Sequence, residues 1–210
     1  GKAMSRPALP LTDQAHAVLA AALRPGDLAI DATCGFGRDT LFLAQAVGSQ
    51  GRVLAMDIQC VAVEKTRAAL LEAGFSGVAD VLLRSHAELG QVVPAGWHGF
   101  VGAVTFNLGY LPGGDHGITT TWQETGPALM VATDLLRPGG VLTVIAYTGH
   151  PGGADEKEGV ERELRLLDPE KWVLEVHQPE KGRRSPPWLY VVRRIGGSRP
   201  CHDAPPCRAS

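Results

Sequence analysis

Residues 28–59 constrain the fold more than any other stretch. Leu28-Ala29-Ile30 is a short apolar run that reads as a buried strand, and it ends on Asp31. A turn carrying Gly35 and Gly37 follows, and Leu41, Phe42, Ala44 and Gln45 then set a helical pattern that stops at Gly48. Val53 to Met56 is a second apolar strand, and it too ends on an acid, Asp57. Strand, glycine turn, helix, strand and acid together make one nucleotide-binding βαβ unit.

Each part has a physical task. Gly35 and Gly37 let the backbone approach a ligand where a Cβ would clash. The start of the following helix offers N–H groups to polar or anionic ligand atoms. Asp57 comes about 20 residues after Gly37, where a carboxylate can take both hydroxyls of a ribose. A dinucleotide fingerprint would need three glycines. With Gly35 in the middle, Thr33 and Arg38 stand at the other two positions, which argues against NAD or FAD.

The pattern Asp31-x-Thr33-x-Gly35-x-Gly37 instead resembles motif I of class I S-adenosylmethionine-dependent methyltransferases, whose glycines cradle the methionine part of the cofactor. The resemblance implies S-adenosyl-L-methionine as cofactor. The expected contact set is Asp31, Thr33, Gly35, Gly37, Asp39, Thr40, Asp57, Ile58, Ser85, His86 and Asn107.

At 210 residues, with 44% hydrophobic residues, the chain suits a single domain over 1–195. Residues 196–210, rich in proline and alanine, read as a disordered tail. No apolar run approaches the ~20 residues of a membrane span and no secretory pattern is present. The four cysteines form no disulfide framework, so a cytoplasmic setting is expected. Cys201, His202 and Cys207 fit no usual zinc spacing, so no metal is expected. Net charge is −2, so any RNA contact must come from a local patch.

Taken in order, 11–23 reads as a helix capped by Thr12 or Asp13, with His16 either facing the cofactor mouth or, the preferred reading, a packed, hydrogen-bonded structural histidine. Helix 60–73 and strand 78–83 follow, closing on Arg84-Ser85-His86, where Ser85 or His86 could hydrogen-bond an adenine. Strand 100–106 comes next, then helix 121–136, which Gly126-Pro127 should kink or delay. Arg137-Pro-Gly-Gly140 should stop that helix before strand 141–147. A charged helix over 154–167 and strands over 172–177 and 188–195 complete the chain. Seven strands alternating with helices and ending in a hairpin predict an α/β, Rossmann-like open sheet. It should be mostly parallel with an antiparallel last strand, as in class I methyltransferases. The site should lie at the carboxyl ends of the first, second and fourth strands.

Asn107-Leu-Gly-Tyr110 occupies the position where amino-methyltransferases carry Asn/Asp-Pro-Pro-Tyr. In those enzymes the asparagine oxygen accepts a hydrogen bond from the target amine and the aromatic ring packs on the target. Methyl transfer is an in-line displacement, so alignment and exclusion of water are the protein's main work. An aliphatic amine must first lose a proton, and Asp115, His116 and His150 on the flanking loops are candidate acceptors. The catalytic set expected is therefore Asn107, Tyr110, Asp115 and His150.

Three strings carry a narrower resemblance. They are Asp31-Ala-Thr-Cys-Gly-Phe-Gly-Arg-Asp-Thr40, Phe106-Asn-Leu-Gly-Tyr-Leu-Pro-Gly-Gly-Asp115 with Thr119-Thr120, and Tyr147-Thr-Gly-His-Pro-Gly-Gly153 with Glu156-Lys157. Over roughly residues 10–195 the chain is similar to a small family long labelled putative rRNA methylases, now associated with tRNA wobble-uridine modification. The resemblance implies N-methylation of 5-aminomethyl-2-thiouridine at position 34 to 5-methylaminomethyl-2-thiouridine. The partner would be a tRNA anticodon loop. Leu111, Gly113 and Gly114, with Lys181, Arg183 and Arg184 of the last hairpin, would contact substrate, and Tyr110 or Trp122 could stack on a base. So small a domain could widen its RNA surface as a homodimer. Competing readings are a methyltransferase of rRNA or of a small-molecule amine, a non-catalytic cofactor-binding protein, and a nicotinamide oxidoreductase, which Thr33 and Arg38 disfavour.

Overall fold

A computed structural model describes residues 9–109, 111, 117–178 and 184–196. The chain runs α1 (Leu11–Ala22), β1 (Leu28–Asp31), α2 (Arg38–Val47), β2 (Arg52–Asp57), α3 (Cys60–Ala73) and β3 (Ala79–Leu83). It continues through a short α4 (Leu89–Val92), β4 (Val101–Leu108), α5 (Trp122–Leu135), β5 (Leu136–Ala146), α6 (Gly153–Arg165), β6 (Trp172–His177) and β7 (Trp188–Arg194). The seven strands form one sheet in the order β3-β2-β1-β4-β5-β7-β6. The first five pair in parallel, and β7 inserts antiparallel between β5 and β6.

Strict alternation along the strands builds the core on both faces. Ile30, Leu54, Val104, Phe106, Leu142, Val144, Tyr190 and Val192 face α4, α5 and α6. Ala29, Val53, Ala55, Ala103, Val141, Ile145, Leu189 and Val191 face α1, α2 and α3. Both faces are covered, which is why the strands read as continuous apolar runs rather than as alternating ones.

Three local expectations need correction. Pro10, not Thr12 or Asp13, precedes α1, and no side chain caps it. Pro127 lies within α5, which begins on time at Trp122. The carbonyl that loses its donor there is that of exposed Gln123, which water can satisfy. Arg137-Pro-Gly-Gly140 belongs to β5 as a bulge, where pairing with β4 jumps from Val101↔Leu136 to Ala103↔Val141. The Arg137 guanidinium clamps this bulge to Asp27 (2.8 and 3.2 Å) and to the Ala22 carbonyl (2.7 Å). Among the described residues no helix is long and apolar enough to cross a membrane. The 197–210 stretch of the expected tail lies outside the described residues.

Candidate active site

Strand order reverses between β1 and β4, and a cavity of about 510 Å³ opens at that switch point. Its walls come from the carboxyl ends of β1, β2, β4 and β5 and the loops that leave them.

The turn after β1 is a knot of hydrogen bonds. Thr40 Oγ1 donates to Asp31 Oδ2 at 2.7 Å, and the Thr33 N–H reaches Asp31 Oδ1 at 3.3 Å. Burial, and then the negative charge of Asp39, push the Asp31 carboxyl up to about 8. Asp31 and Thr40 are fully buried and lie behind the cavity wall, so they shape the turn rather than face a ligand. Gly35 lines the cavity at φ +51°, and a Cβ there would stand 3.4 Å from Leu111 Cδ1. Gly37 serves a different contact. At φ +95° it packs on α3, where a Cβ would meet Thr66 at 3.1 Å.

Asp57 and Ile58 line the cavity at the end of β2. The Asp57 Oδ2 accepts the Gly35 N–H at 3.0 Å and Oδ1 accepts the Gln59 N–H at 2.9 Å. A carboxylate has about four acceptor sites, so ribose hydroxyls can still be received. Burial raises the Asp57 pKa, opposed by these backbone N–H groups.

The adenine side departs from expectation. Ser85 accepts the Ala87 N–H at 3.1 Å as the cap of a short 3₁₀ turn and does not line the cavity. His86 touches the cavity wall, but its Nε2 sits 3.0 Å from Thr125 Oγ1 and is engaged there. With the ring so engaged, burial pushes its pKa down to about 4, and it serves as a neutral structural histidine. Behind it, Glu156 is 1% exposed and accepts from Thr125 and Thr120, each at 2.7 Å. This buried carboxylate ties the loop before α5 to α6. Nothing local in the sequence signals a carboxylate that serves two distant threonines.

Asn107 is the central polar group. Its backbone N–H donates to Thr33 Oγ1 at 2.6 Å, which ties β4 to the glycine turn. Its side-chain Nδ2 donates to Asp39 Oδ2. A carboxylate only accepts, so the amide nitrogen must face Asp39 and Oδ1 must face the other way. Oδ1 is buried and has no hydrogen-bond partner among the described residues. Such an acceptor, on a cavity wall, is set to receive a donor from a ligand. His150, 9% exposed, lines the same cavity, and burial lowers its pKa. Tyr147 lines it too, on the far side of Gly109, where a Cβ would come 3.5 Å from Tyr147 Cβ and 3.6 Å from His150 Cε1. Tyr147 was not anticipated as a wall residue. Its signals are its place at the end of a strand beside the switch point and its position at the head of the third string.

Leu111 joins the wall, and Arg184 is exposed next to Ser185, which also lines the cavity. Trp122 packs against Gly159 of α6, with the Arg162 guanidinium 5.7 Å from its ring, so it is a helix-packing residue and not an open stacking platform. Tyr110, Gly113, Gly114, Asp115, His116, Lys181 and Arg183 lie outside the described residues.

The sheet order and the strand-end cavity are those of the class I methyltransferase fold. The family model described as "Putative rRNA methylase" matches residues 53–193. The chain is 37% identical over 191 residues to the chloroplastic tRNA (mnm(5)s(2)U34)-methyltransferase of Arabidopsis thaliana, covering 87% of this chain and 69% of that protein. The crystal structure of a putative rRNA-methylase from Clostridium thermocellum superposes with a TM-score of 0.85 at 35% identity, over 90% of this chain and all of that one. A putative methyltransferase from Streptococcus mutans, crystallised in complex with SAH, gives a TM-score of 0.78 at 29% identity, over 92% of this chain and 100% of that one. The chain belongs to the putative rRNA methylase family.

Proposed function

We propose that the protein methylates the aminomethyl nitrogen of 5-aminomethyl-2-thiouridine at tRNA wobble position 34, giving 5-methylaminomethyl-2-thiouridine. It is an S-adenosylmethionine-dependent methyltransferase. When bound, the cofactor supplies a methyl group already activated by the positive charge on sulfur. The cavity suits that molecule: Gly35 leaves room where a side chain would reach toward Leu111, and Asp57 keeps acceptor capacity for a ribose. Exposed Ile58 offers an apolar face for a base.

The observation that carries the reading of an amine acceptor is the unpartnered Oδ1 of Asn107. An amine nitrogen that donates one N–H to this oxygen has its lone pair turned away from it, along a direction set by the protein. That fixed aim is the alignment an in-line displacement requires. An aliphatic ammonium must lose a proton first, and His150, on the same wall with its pKa lowered by burial, is a candidate to take it. The name of the Arabidopsis relative supports the wobble nucleoside, and the second and third sequence strings, which are specific to that family, agree with it. Arg184, with Lys181 and Arg183, would meet anticodon-loop phosphates. A homodimer would widen that surface, and a reducing cytoplasm suits free Cys34 and Cys60.

The test is incubation of protein and S-adenosylmethionine with tRNA bearing 5-aminomethyl-2-thiouridine, followed by nucleoside mass spectrometry. The expected result is a gain of one methyl on that nucleoside, with the rate reduced about 10²–10³-fold in Asn107→Ala. Absence of transfer despite cofactor binding would overturn the wobble assignment and direct attention to rRNA and small amines.

A further inference from the structure

An asparagine amide can present either its oxygen or its nitrogen to a ligand, and the two ends differ little in shape. Only the oxygen can receive an amine N–H, so the reaction proposed above depends on what holds the Asn107 amide in one orientation. The direct partner is Asp39, in the first turn of α2, whose Oδ2 accepts from Asn107 Nδ2. Asp39 is itself held. Its Oδ1 lies 2.5 Å from His16 Nε2, on α1. Because the carboxylate can only accept, Nε2 carries the proton of that bond. The His16 ring stacks on Phe42 of α2, with centroids 4.1 Å apart and planes inclined by 17°. Both side chains of the His16–Asp39 pair are largely shielded, at 14% and 16% exposure.

We infer that His16 is a positioning residue for methyl transfer. By donating to Asp39 it keeps one carboxylate oxygen against the Asn107 amide nitrogen, and so keeps Asn107 Oδ1 toward the acceptor amine. The inference rests on the amine-acceptor reading of Asn107. The path is continuous and made of three side chains from three elements: α1, α2 and β4. Without the His16 donor, Asp39 is free to rotate toward solvent. The Asn107 amide then has no acceptor-only neighbour to select its orientation, and it presents N–H groups to the amine for part of the time. Substrates and cofactor still bind, but the lone pair is aimed in fewer of the encounters.

The experiment compares His16→Leu, which keeps apolar bulk against Phe42 but has no donor, with His16→Gln, whose Nε2 reaches the same place. In the full chain acting on tRNA with 5-aminomethyl-2-thiouridine, His16→Leu lowers kcat about tenfold, the scale of one lost hydrogen bond, and leaves the cofactor Kd within about twofold. His16→Gln recovers most of the rate. In the Asn107→Ala background His16→Leu has almost no further effect, since residues acting through one another are non-additive. Additive losses, equal losses in both His16 variants, or a loss confined to cofactor Kd would overturn the proposal.

A second reading needs no substrate. The side-chain amide of Asn107, identified in ¹⁵N–¹H spectra by its disappearance in Asn107→Ala, shows a proton protected from solvent exchange in the native chain and in His16→Gln. That protection is lost in His16→Leu, and also in Asp39→Ala, which removes the acceptor itself without altering α1. An amide unaffected by these changes overturns the positioning role whatever the substrate is. An amide that responds in a protein transferring no methyl to this tRNA overturns the wobble reading alone.

Discussion

Asp31 and His86 are both buried beside the cavity, and burial moves their pKa values in opposite directions. The Asp31 carboxyl is pushed from 3.8 up to about 8, so the folded protein holds a proton that the unfolded chain releases. Its contribution to stability is complete below about pH 3.8 and is lost as pH rises through about 8. The His86 imidazole is pushed from 6.5 down to about 4, so its contribution is complete above about 6.5 and is lost as pH falls through about 4. Denaturant unfolding of Asp31→Asn and His86→Gln against the native chain, from pH 4 to 8, should give difference curves of opposite slope. The Asp31 curve should fall with rising pH, and the His86 curve should rise until it levels above about 6.5. Curves of the same sign would mean that another group controls the titration. The residues at these positions were visible in the sequence as strand-end polar groups. Their roles were not: the sequence allows Ser85 or His86 to meet a base, and the structure turns His86 to Thr125. A side chain's facing follows from the contacts of its neighbours, and Thr125 lies far along the chain.

Helices α5 and α6 pack through a contact that only a glycine allows. A Cβ on Gly159 of α6 would stand 2.6 Å from Cε3 of Trp122 on α5, well inside van der Waals contact. Gly159→Ala should therefore destabilise the protein by about 1–3 kcal/mol, the usual cost of overpacking. Gly77, with nothing within 4 Å, provides the contrast, and Gly77→Ala should change stability by no more than about 0.5 kcal/mol. Chemical denaturation midpoints decide both. At this scale the sequence was legible where periodicity was unambiguous. The limits of α3 (60–73) and β6 (172–177) were read to the residue. The short α4 and the 3₁₀ turns beside it went unassigned because four-residue helices carry too few apolar repeats to show a period. The sequence at 137–140 reads as a helix stop, whereas the structure makes it a bulge. Proline and glycine punctuate both structures, and only pairing with Val101 and Ala103 across β4 makes it part of a strand.

The molecule as a whole is a sheet whose switch-point cavity draws on strands β1, β2, β4 and β5, so a ligand bound there should stabilise the entire domain. With S-adenosylmethionine at 100-fold its Kd, unfolding free energy should rise by about 2.7 kcal/mol. Asp57→Ala should abolish most of that gain at the same concentration, measured by thermal unfolding with and without cofactor. A gain undiminished in Asp57→Ala would remove this carboxylate from the binding site. By itself the sequence determined the βαβ unit, the seven strands, the parallel sheet with its antiparallel final strand, and the acids that end β1 and β2. These follow from local apolar runs and glycine turns, which act over a few residues. Tertiary structure alone decided which polar groups face each other. His16, Asp39 and Asn107 come from α1, α2 and β4 and meet only when the sheet is assembled. Hydrogen bonds select orientation over about 3 Å, and no spacing along the chain encodes that distance.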